Sequence, residues 1–168
     1  MKTKILSLTA LACTLLVFSC KKEDRTVPVQ LLLTDAPANY DSVNVDIREV
    51  QLKISKDSTS WIKIDTKDSV YNLLDLQNGV TTMLAKDEVP EGVLKEVRFI
   101  LGPNNNVVVD GVSHPLQTPS AEDSGLKIKI DKSLAPTLNT FVLDFDAALS
   151  VKEENGNYKL SPVIRLKP

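Results

Sequence analysis

The sequence predicts an all-β protein, built as a β-sandwich of antiparallel strands with Greek-key connections. Three observations lead to this fold class. Apolar residues alternate with polar ones through most of the chain, tight-turn dipeptides separate the alternating segments, and no long amphipathic helix is evident. The 168 residues are 42% hydrophobic and 25% charged, a composition that is typical of a globular protein and argues against disorder.

The N-terminal strands follow from this alternation. Residues 27–33 and residues 43–47 each carry valine, leucine or isoleucine at every second position. The parity then reverses, because residues 50–54 carry their apolar side chains at even positions. One extra residue near Arg48 and Glu49 produces such a reversal, so we predict a β-bulge there.

The middle of the chain predicts three more strands. Residues 62–64 mark a third strand, residues 70–76 a fourth, and residues 97–101 a fifth, which is entered through a Pro-x-Gly turn at residues 89–92. For residues 77–85 the pattern leaves two alternatives open, a loop or one helical turn.

Two dipeptides predict tight hairpins in the C-terminal half of the chain. Asp110-Gly111 and Asn155-Gly156 each stand between strand-forming residues. A type I′ turn favours such pairs because both of its central residues need a positive φ. The second turn is expected to bring Val151 opposite Leu160.

The segment 126–146 predicts a further hairpin, because apolar residues alternate in both of its halves. Pairing about its midpoint brings Lys127 opposite Asp146 and Lys129 opposite Asp144. Opposite charges then meet on the outer face of the sheet while apolar groups meet inside. Such cross-strand pairs contribute roughly 0.2–1 kcal/mol each.

The first 20 residues have the features of an export signal. Lys2 and Lys4 precede an uncharged, mostly apolar run that is too short to span a bilayer as a mature helix. The run ends at Ser19 and Cys20, and a small residue before a cysteine at this point resembles the lipobox of bacterial lipoproteins. The resemblance implies a signal peptide over residues 1–19, cleavage between Ser19 and Cys20, and acylation of Cys20. An ordinary secretory signal with an incidental cysteine is the alternative.

The same resemblance implies the domain organisation and the cellular location. Residues 20–26 form a lipidated tether and residues 27–168 a single β-sandwich domain. The residue after the cysteine is a lysine, unlike the aspartate that retains lipoproteins in inner membranes. We therefore expect an outer membrane lipoprotein, either periplasmic or surface-exposed. Cys13 leaves with the signal peptide, so the mature chain keeps Cys20 alone and forms no internal disulfide.

The composition argues against several kinds of chemistry. A net charge of −2 provides no basic field, so no nucleic-acid partner is expected. The chain has one histidine, His114, and no nucleophile-elbow pattern, so no catalytic residue is predicted; zinc would need more histidine or cysteine ligands. We expect no cofactor. Asp144 and Asp146 are candidates for a calcium site, with the lysine pairing described above as the structural alternative.

Aromatic and amide side chains provide the candidate ligand contacts, which are Trp61, Tyr40, Asn104 and Asn105. Trp61 has the opposite parity to Ile62 and is expected outside the core, where an indole ring can stack on a sugar, accompanied by Tyr40, Tyr71 and Tyr158. A tryptophan half-buried at a sheet edge and a simple turn at residues 103–106 are the structural alternatives.

Several segments together resemble bacterial lipoproteins that carry the domain of unknown function DUF4382. In chain order these segments are Leu33-Thr34-Asp35-Ala36-Pro37 and residues 40–45, 73–79, 89–92, 97–99, 102–111, 119–126, 143–147 and 162–165. The resemblance covers residues 28–167 and implies a secreted or lipid-anchored β-sandwich. It implies no reaction, because the family is named for lacking one. The Pro-x-Gly turn resembles transthyretin-like sandwiches, so an immunoglobulin-like or transthyretin-like fold is expected.

The function expected from these observations is a non-enzymatic binding or accessory module of the cell envelope. Its partner would be a glycan or another envelope protein, and the lipid on Cys20 would hold it to the membrane. Two alternatives remain open. One is a purely structural envelope component. The other is a hydrolase with a carboxylate-based site, which requires two or more of five residues to converge in a pocket: Asp35, Asp41, Asp75, Asp144 and Asp146.

Overall fold

The computed structural model describes residues 25–55, 60–119 and 125–168. Four predicted features lie outside these residues: the signal peptide over residues 1–19, the cleavage site between Ser19 and Cys20, the lipidation of Cys20 and most of the tether. The strands are β1 (Thr26–Thr34), β2 (Ser42–Ser55), β3 (Ile62–Ile64), β4 (Ser69–Asn72), β5 (Thr82–Pro90), β6 (Val93–Leu101), β7 (Asn106–Val109), β8 (Val112–Gln117), β9 (Leu126–Ser133), β10 (Asn139–Phe145), β11 (Val151–Glu154), β12 (Asn157–Leu160) and β13 (Ile164–Leu166).

The strands form two sheets, which confirms the predicted all-β sandwich class. The smaller sheet has the order β13-β10-β1-β5, and the larger sheet has the order β11-β12-β8-β7-β2-β6-β9, with β3 and β4 also paired to β2. Antiparallel pairs dominate. Two pairs, β1–β10 and β12–β8, run parallel, which the alternation does not predict. Within the described residues no helix is both long and apolar enough to cross a membrane.

The 14-residue strand β2 organises the larger sheet. It pairs with β7 and β4 through its first half and with β6 and β3 through its second half. The register against β6 shifts between Ile47 and Glu49, which confirms the predicted bulge. Because of this extra residue, Ile47 and Val50 are both fully buried although they have opposite parity.

The core lies between the inner faces of the two sheets. Leu31 and Leu33 of β1 and Phe145 of β10 are fully buried on one side, and Leu52 of β2 and Phe99 of β6 on the other. Burial of such side chains stabilises the fold by roughly 1.5–3 kcal/mol each. The period-two pattern therefore gave the correct inner face for these strands.

The two predicted hairpin turns are confirmed. The φ angles are 50° and 74° at Asp110 and Gly111, and 53° and 77° at Asn155 and Gly156. Val151 lies opposite Leu160, as predicted from the second turn. Positive φ at both central residues is the requirement of a type I′ turn, which explains the choice of these dipeptides.

The hairpin predicted for the segment 126–146 is wrong. β9 pairs with β6 in the larger sheet, and β10 pairs with β1 and β13 in the smaller sheet. The expected pairs Lys127–Asp146 and Lys129–Asp144 therefore do not form. Both strands do alternate as predicted, but residues 134–138 cross from one sheet to the other instead of reversing within one sheet. Alternation fixes which face of a strand is buried and leaves its partner open.

The fourth predicted strand is shorter than expected. β4 ends at Asn72, and a short 3-10 helix, Leu73–Leu76, follows it. The side chain of Asn72 accepts a hydrogen bond from the backbone N–H of Leu74 and caps this helix. The helical turn thus precedes residues 77–85, which contain a turn at Asn78 and Gly79 and then enter β5.

A short α-helix, α1 (Ala147–Ser150), follows β10.

The sandwich has two distinct ends. We call the end at which β1 begins the proximal end. The connection between β5 and β6 and the 134–138 loop lie there, because Thr26 pairs with Pro90 and the N–H of Leu134 donates to Gly92 O. We call the opposite end the distal end. It carries α1 and the start of β5, since the N–H of Ala147 donates to Asp35, which directly follows β1.

Candidate functional site

Trp61 lies at the outer face of the larger sheet, immediately before β3. Ile62 pairs with Leu52 of β2, and the ring of Trp61 lies near two cations from neighbouring strands. The Cζ atom of Arg98 is 4.1 Å from the ring centroid, and the Nζ atom of Lys53 is 5.8 Å from it. The indole is half-buried. Cation–π contacts of this kind contribute about 0.5–2 kcal/mol each.

A line of hydrogen bonds extends from Arg98 across β2. Arg98 Nε donates to Gln51 Oε1 at 2.9 Å, Gln51 Nε2 donates to Glu49 Oε1, and Lys63 Nζ lies 2.5 Å from Glu49 Oε2. The hydrogen bond from Gln51 and the ion pair with Lys63 lower the pKa of Glu49, so that this carboxylate is ionised at neutral pH. We call Trp61, Arg98, Gln51, Glu49 and Lys53 the Trp61 face.

The Trp61 face combines an aromatic ring with alternating donors and acceptors on a rigid sheet. Arginine, lysine and the glutamine amide donate, and the carboxylate of Glu49 accepts. Sugar hydroxyl groups both donate and accept, and the apolar face of a pyranose stacks on indole. The arrangement is therefore suited to bind a polyhydroxylated ligand on a flat surface, and it contains no paired nucleophile and base.

Tyr40 does not join the Trp61 face. It lies just before the start of β2, whereas Lys53 lies eleven residues further along the same strand (53 − 42 = 11), which is about 35 Å of extended chain. Burial, followed by the nearby Tyr158, raises the pKa of Tyr40. The ring of Tyr158 in turn stacks on His114 with centroids 4.8 Å apart. These rings form a separate cluster near the distal end.

Tyr71 is not available to a ligand, contrary to the expectation from the sequence. It is 8% exposed, belongs to the hydrophobic core, and its hydroxyl group donates to Lys67 O at 2.5 Å. Its neighbour Asn72 ends β4, and the strand turns the tyrosine inward onto the core. Of the three tyrosines proposed to accompany Trp61, none lies on its face.

Asn105 has a structural role. It is 5% exposed, its Oδ1 accepts from the N–H of Asp46 at 2.9 Å, and its Nδ2 donates to Gly102 O at 2.6 Å. Asn104 is exposed, but its backbone N–H is directed at Asp46 Oδ2 at 3.1 Å. These contacts favour the simple-turn interpretation of residues 103–106 and argue against a ligand role for the buried Asn105.

Sequence reasoning missed Asp46, which the turn covers completely. Asp46 is 0% exposed and pairs with Arg48, whose Nε lies 2.6 Å from Asp46 Oδ1 and whose Nη2 lies 2.9 Å from Oδ2. A Cβ atom on Gly102 would lie 2.3 Å from Asp46 Oδ2, so the close approach of the chain requires glycine there. Alternation alone puts Asp46 on the outer face; the turn that buries it comes from residues more than fifty positions away.

A second polar cluster lies at the distal end and is buried. Asp35 Oδ1 accepts from the N–H of Ala147 at 2.8 Å, while Asp35 Oδ2, Asp144 Oδ1 and Gln77 Nε2 are buried without a hydrogen-bond partner of acceptable geometry. Burial raises the pKa of Asp35 to about 6, and the charge of Asp144 acts in the same direction. Unpaired buried polar atoms are uncommon in native proteins and often mark functional or strained positions.

The remaining carboxylates considered for a hydrolase are spread over separate contacts. Asp146 caps α1 by accepting from Leu149 N at 2.9 Å, Asp41 accepts from Gly111 N at 2.7 Å, and Asp75 accepts from Asn72 Nδ2 at 3.0 Å. Within the described part of the chain, no group of three or more histidine, cysteine, aspartate or glutamate residues is arranged to hold a metal ion. Of the five candidate acids, only Asp35 and Asp144 come together.

Two clefts lie between β9, at one edge of the larger sheet, and the strands β10 and β13, at one edge of the smaller sheet. One, of about 460 Å³, is lined by Lys132, Phe141, Leu166 and Lys167 among others. The other, of about 220 Å³, lies near Ile128 and Ile164. Neither cleft includes Asp35, Asp144 or Trp61.

Comparison with known proteins identifies a family but no reaction. The family model described as "Domain of unknown function (DUF4382)" matches residues 26–162. No curated protein and no solved structure matches the chain. The matched range runs from the first residue of β1 to just beyond β12, and so includes the Trp61 face and the buried Asp35–Asp144 cluster.

Proposed function

The chain belongs to the DUF4382 family of domains of unknown function, and we propose that it is a lipid-anchored, non-enzymatic binding module of the bacterial cell envelope. Its ligand is a glycan of the envelope, and the Trp61 face is its contact surface. The observation that carries the binding role is the half-buried indole of Trp61 at the edge of a continuous line of donors and acceptors on the outer sheet face.

The N-terminal sequence supports the anchor. A basic start, an apolar run and the pair Ser19-Cys20 are the features that lipoprotein processing requires. Each buried methylene contributes about 0.8 kcal/mol, so that one acyl chain holds a protein only marginally and several chains on one residue hold it firmly. Lys21 follows the cysteine and favours the outer membrane, with the domain in the periplasm or at the surface.

The chemistry of the Trp61 face favours a glycan over an envelope protein. Its charged groups already have polar partners, since Arg98 donates to Gln51, Lys53 pairs with Glu96 and Glu49 pairs with Lys63, and sugar hydroxyl groups can hydrogen-bond to them without breaking these pairs. A protein partner of ordinary affinity would need a contiguous apolar centre in the contact surface. The Trp61 face offers one ring, which is enough for a sugar.

Two features favour binding over hydrolysis. Asp35 is 2% exposed, so a substrate would not reach it in the folded protein, and His114 stacks on Tyr158 near the distal end. A purely structural role would leave the Trp61 face without a ligand, and the experiment below separates that alternative from binding.

Binding to an array of envelope glycans tests the proposal. The full-length protein, extracted from membranes in detergent, is screened against peptidoglycan fragments and lipopolysaccharide saccharides, with turnover of each bound glycan followed by mass spectrometry. We expect binding without cleavage. Trp61→Ala should lower the affinity about ten-fold through loss of ring stacking, while Trp61→Phe should retain part of it.

The matched control is Tyr158→Ala, which removes a partly exposed ring from the other end of the larger sheet and should leave the affinity unchanged. Thermal unfolding of each variant checks that the fold is intact. Absence of any glycan binding, or equal affinity of Trp61→Ala and the wild type, would refute the proposed site. Capture of a single envelope protein through Trp61 would replace the glycan by a protein partner, and release of a cleaved glycan would establish a hydrolase.

A further inference from the structure

The 134–138 loop is an uncharged segment at the proximal end, in which Leu134 is half-buried against the core and the next four residues are exposed. It contains two leucines, an alanine and a proline around Thr137. Leu138 is 48% exposed, and Ala135, Pro136 and Thr137 are exposed as well. A soluble loop between strands is usually rich in polar residues, so an apolar, uncharged loop of this kind requires a separate explanation.

This loop is held in place and is therefore a preformed surface. Asn139 Oδ1 accepts from Ala135 N at 2.8 Å, and Asn139 Nδ2 donates to Ala135 O at 2.9 Å and Thr137 O at 2.8 Å. The same amide contacts Pro28 O of β1 at 3.1 Å. One asparagine thus fixes the loop beside the first residues of β1.

Cationic side chains lie next to the loop. Lys132 and Lys167 line the cleft of about 460 Å³ together with Phe141 and Leu166, and Arg25 is exposed at the start of β1. Among the residues that the structure describes, neither lysine pairs with a carboxylate. An apolar projection bordered by lysines is the combination by which proteins contact an anionic lipid surface.

The length of the tether sets the position of this surface relative to a membrane. Six residues separate Cys20 from Thr26 (26 − 20 = 6), and they span at most about 20 Å when fully extended. The distal end lies a further eight residues of β1 away, which is about 26 Å. A lipid on Cys20 therefore keeps the proximal end close to the bilayer and leaves the distal end away from it.

We propose that the proximal end is a membrane-docking surface, in which the 134–138 loop enters the lipid interface and Lys132 and Lys167 contact anionic headgroups. This inference rests on the proposed lipid anchor at Cys20. The tether delivers the domain to the membrane, and the loop fixes its orientation. Docking in this way holds the distal end, with α1 and the start of β5, away from the bilayer.

Site-specific fluorescence in vesicles tests this orientation. Because the mature chain has no cysteine other than the acylated Cys20, one introduced cysteine can carry a polarity-sensitive dye. Thr137→Cys reports on the loop, and Thr81→Cys is the matched control, since it replaces another exposed threonine that directly precedes β5 at the distal end. The lipidated full-length protein is reconstituted in phosphatidylethanolamine vesicles with and without phosphatidylglycerol.

We expect the dye at position 137 to shift to shorter wavelength and to be quenched by spin-labelled phospholipid several-fold more than the dye at position 81. Each of Lys132→Gln and Lys167→Gln should weaken docking about five-fold on vesicles that contain phosphatidylglycerol. In the Thr137→Cys background, Leu138→Asp should remove the wavelength shift.

Equal quenching at both positions in protein that floats with the vesicles would overturn the docking surface while leaving the anchor intact. Protection of position 137 from water without quenching by lipid would also overturn it, in favour of a protein partner. Failure of the protein to float at all would refute the anchor itself, and the docking inference would fall with it.

Discussion

Asp35 provides the sharpest prediction about the energetics of this fold. Its side chain is 2% exposed, Oδ1 accepts from Ala147 N, and Oδ2 has no hydrogen-bond partner. Burial and the neighbouring Asp144 raise its pKa from 3.8 to about 6. At neutral pH the folded protein therefore holds a desolvated carboxylate beside a second acid. We predict that Asp35→Asn stabilises the protein at pH 7.

The size of the effect follows from the pKa. A rise of about two units corresponds to about 3 kcal/mol of cost to the ionised folded state. The asparagine keeps an oxygen for the N–H of Ala147 and adds an amide that can donate to Asp144. Allowing for imperfect amide geometry, we expect a gain of about 2 kcal/mol in the free energy of unfolding, or about 4–8 °C in Tm.

The pH dependence distinguishes this cause from better packing. The folded protein binds the Asp35 proton more tightly than the unfolded chain does, so the contribution of Asp35 to stability is fully present below pH 4. It is lost as the pH rises through about 6. The advantage of Asp35→Asn should therefore be small at pH 4 and reach its full size near pH 7.

Urea unfolding followed by tryptophan fluorescence, at pH values from 4 to 8, measures this difference. The matched control is Asp75→Asn, which changes an exposed aspartate near the same end and should give no such gain. An Asp35→Asn variant that is less stable than the wild type at pH 7, or that differs from it equally at pH 4 and pH 7, would contradict the reasoning.

Two further predictions concern the outer turn and the core. Asp46→Ala removes the buried partner of Arg48 and leaves Asn104 N without its acceptor; because Arg48 stays 43% exposed, we expect the free energy of unfolding in urea to fall by about 2 kcal/mol. Asp68→Ala, at the exposed end of the same arginine, is the control and should cost under about 0.5 kcal/mol, and equal losses in the two variants would refute the importance of burial. Phe145→Ala empties a fully buried site and should lower the free energy of unfolding by about 3–5 kcal/mol in the same measurement. Leu138→Ala on the exposed loop should change it by no more than about 0.5 kcal/mol, and a small loss for Phe145→Ala would contradict the assigned core.

Local features of this fold were predictable from the sequence because local chemistry determines them. The Asp110-Gly111 and Asn155-Gly156 turns follow from the need for positive φ, and the bulge near Arg48 follows from a reversal of parity within one strand. The inner faces of the strands follow from alternation, since a one-residue slip would expose the whole apolar set.

Strand partners and buried polar groups were not predictable in the same way. β9 and β10 have equivalent alternation, and their assignment to different sheets depends on the path of residues 134–138. The burial of Asp46 depends on a turn from residues 102–105, and the contact of Trp61 with Arg98 joins residues 37 positions apart (98 − 61 = 37). Each is a long-range contact, for which the chain carries no local signal.

The convergence of Asp35 and Asp144 shows the same limit. Both acids directly follow or occupy the ends of apolar strands, and the sequence suggests for Asp144 a lysine partner in a hairpin. Parallel pairing of β1 with β10 instead puts Asp144 opposite Thr34, next to Asp35. Without knowledge of that pairing, two separate surface aspartates are the simpler expectation.

Metabolic labelling with an alkyne fatty acid tests the central claim, that a lipid on Cys20 holds this β-sandwich in the envelope. The full-length protein is expressed in a Gram-negative host, labelled, and compared with Cys20→Ala and with Cys13→Ala, which changes the cysteine inside the signal peptide. We predict label on the wild type and on Cys13→Ala and none on Cys20→Ala. An unlabelled wild type, or label that persists in Cys20→Ala, would contradict it.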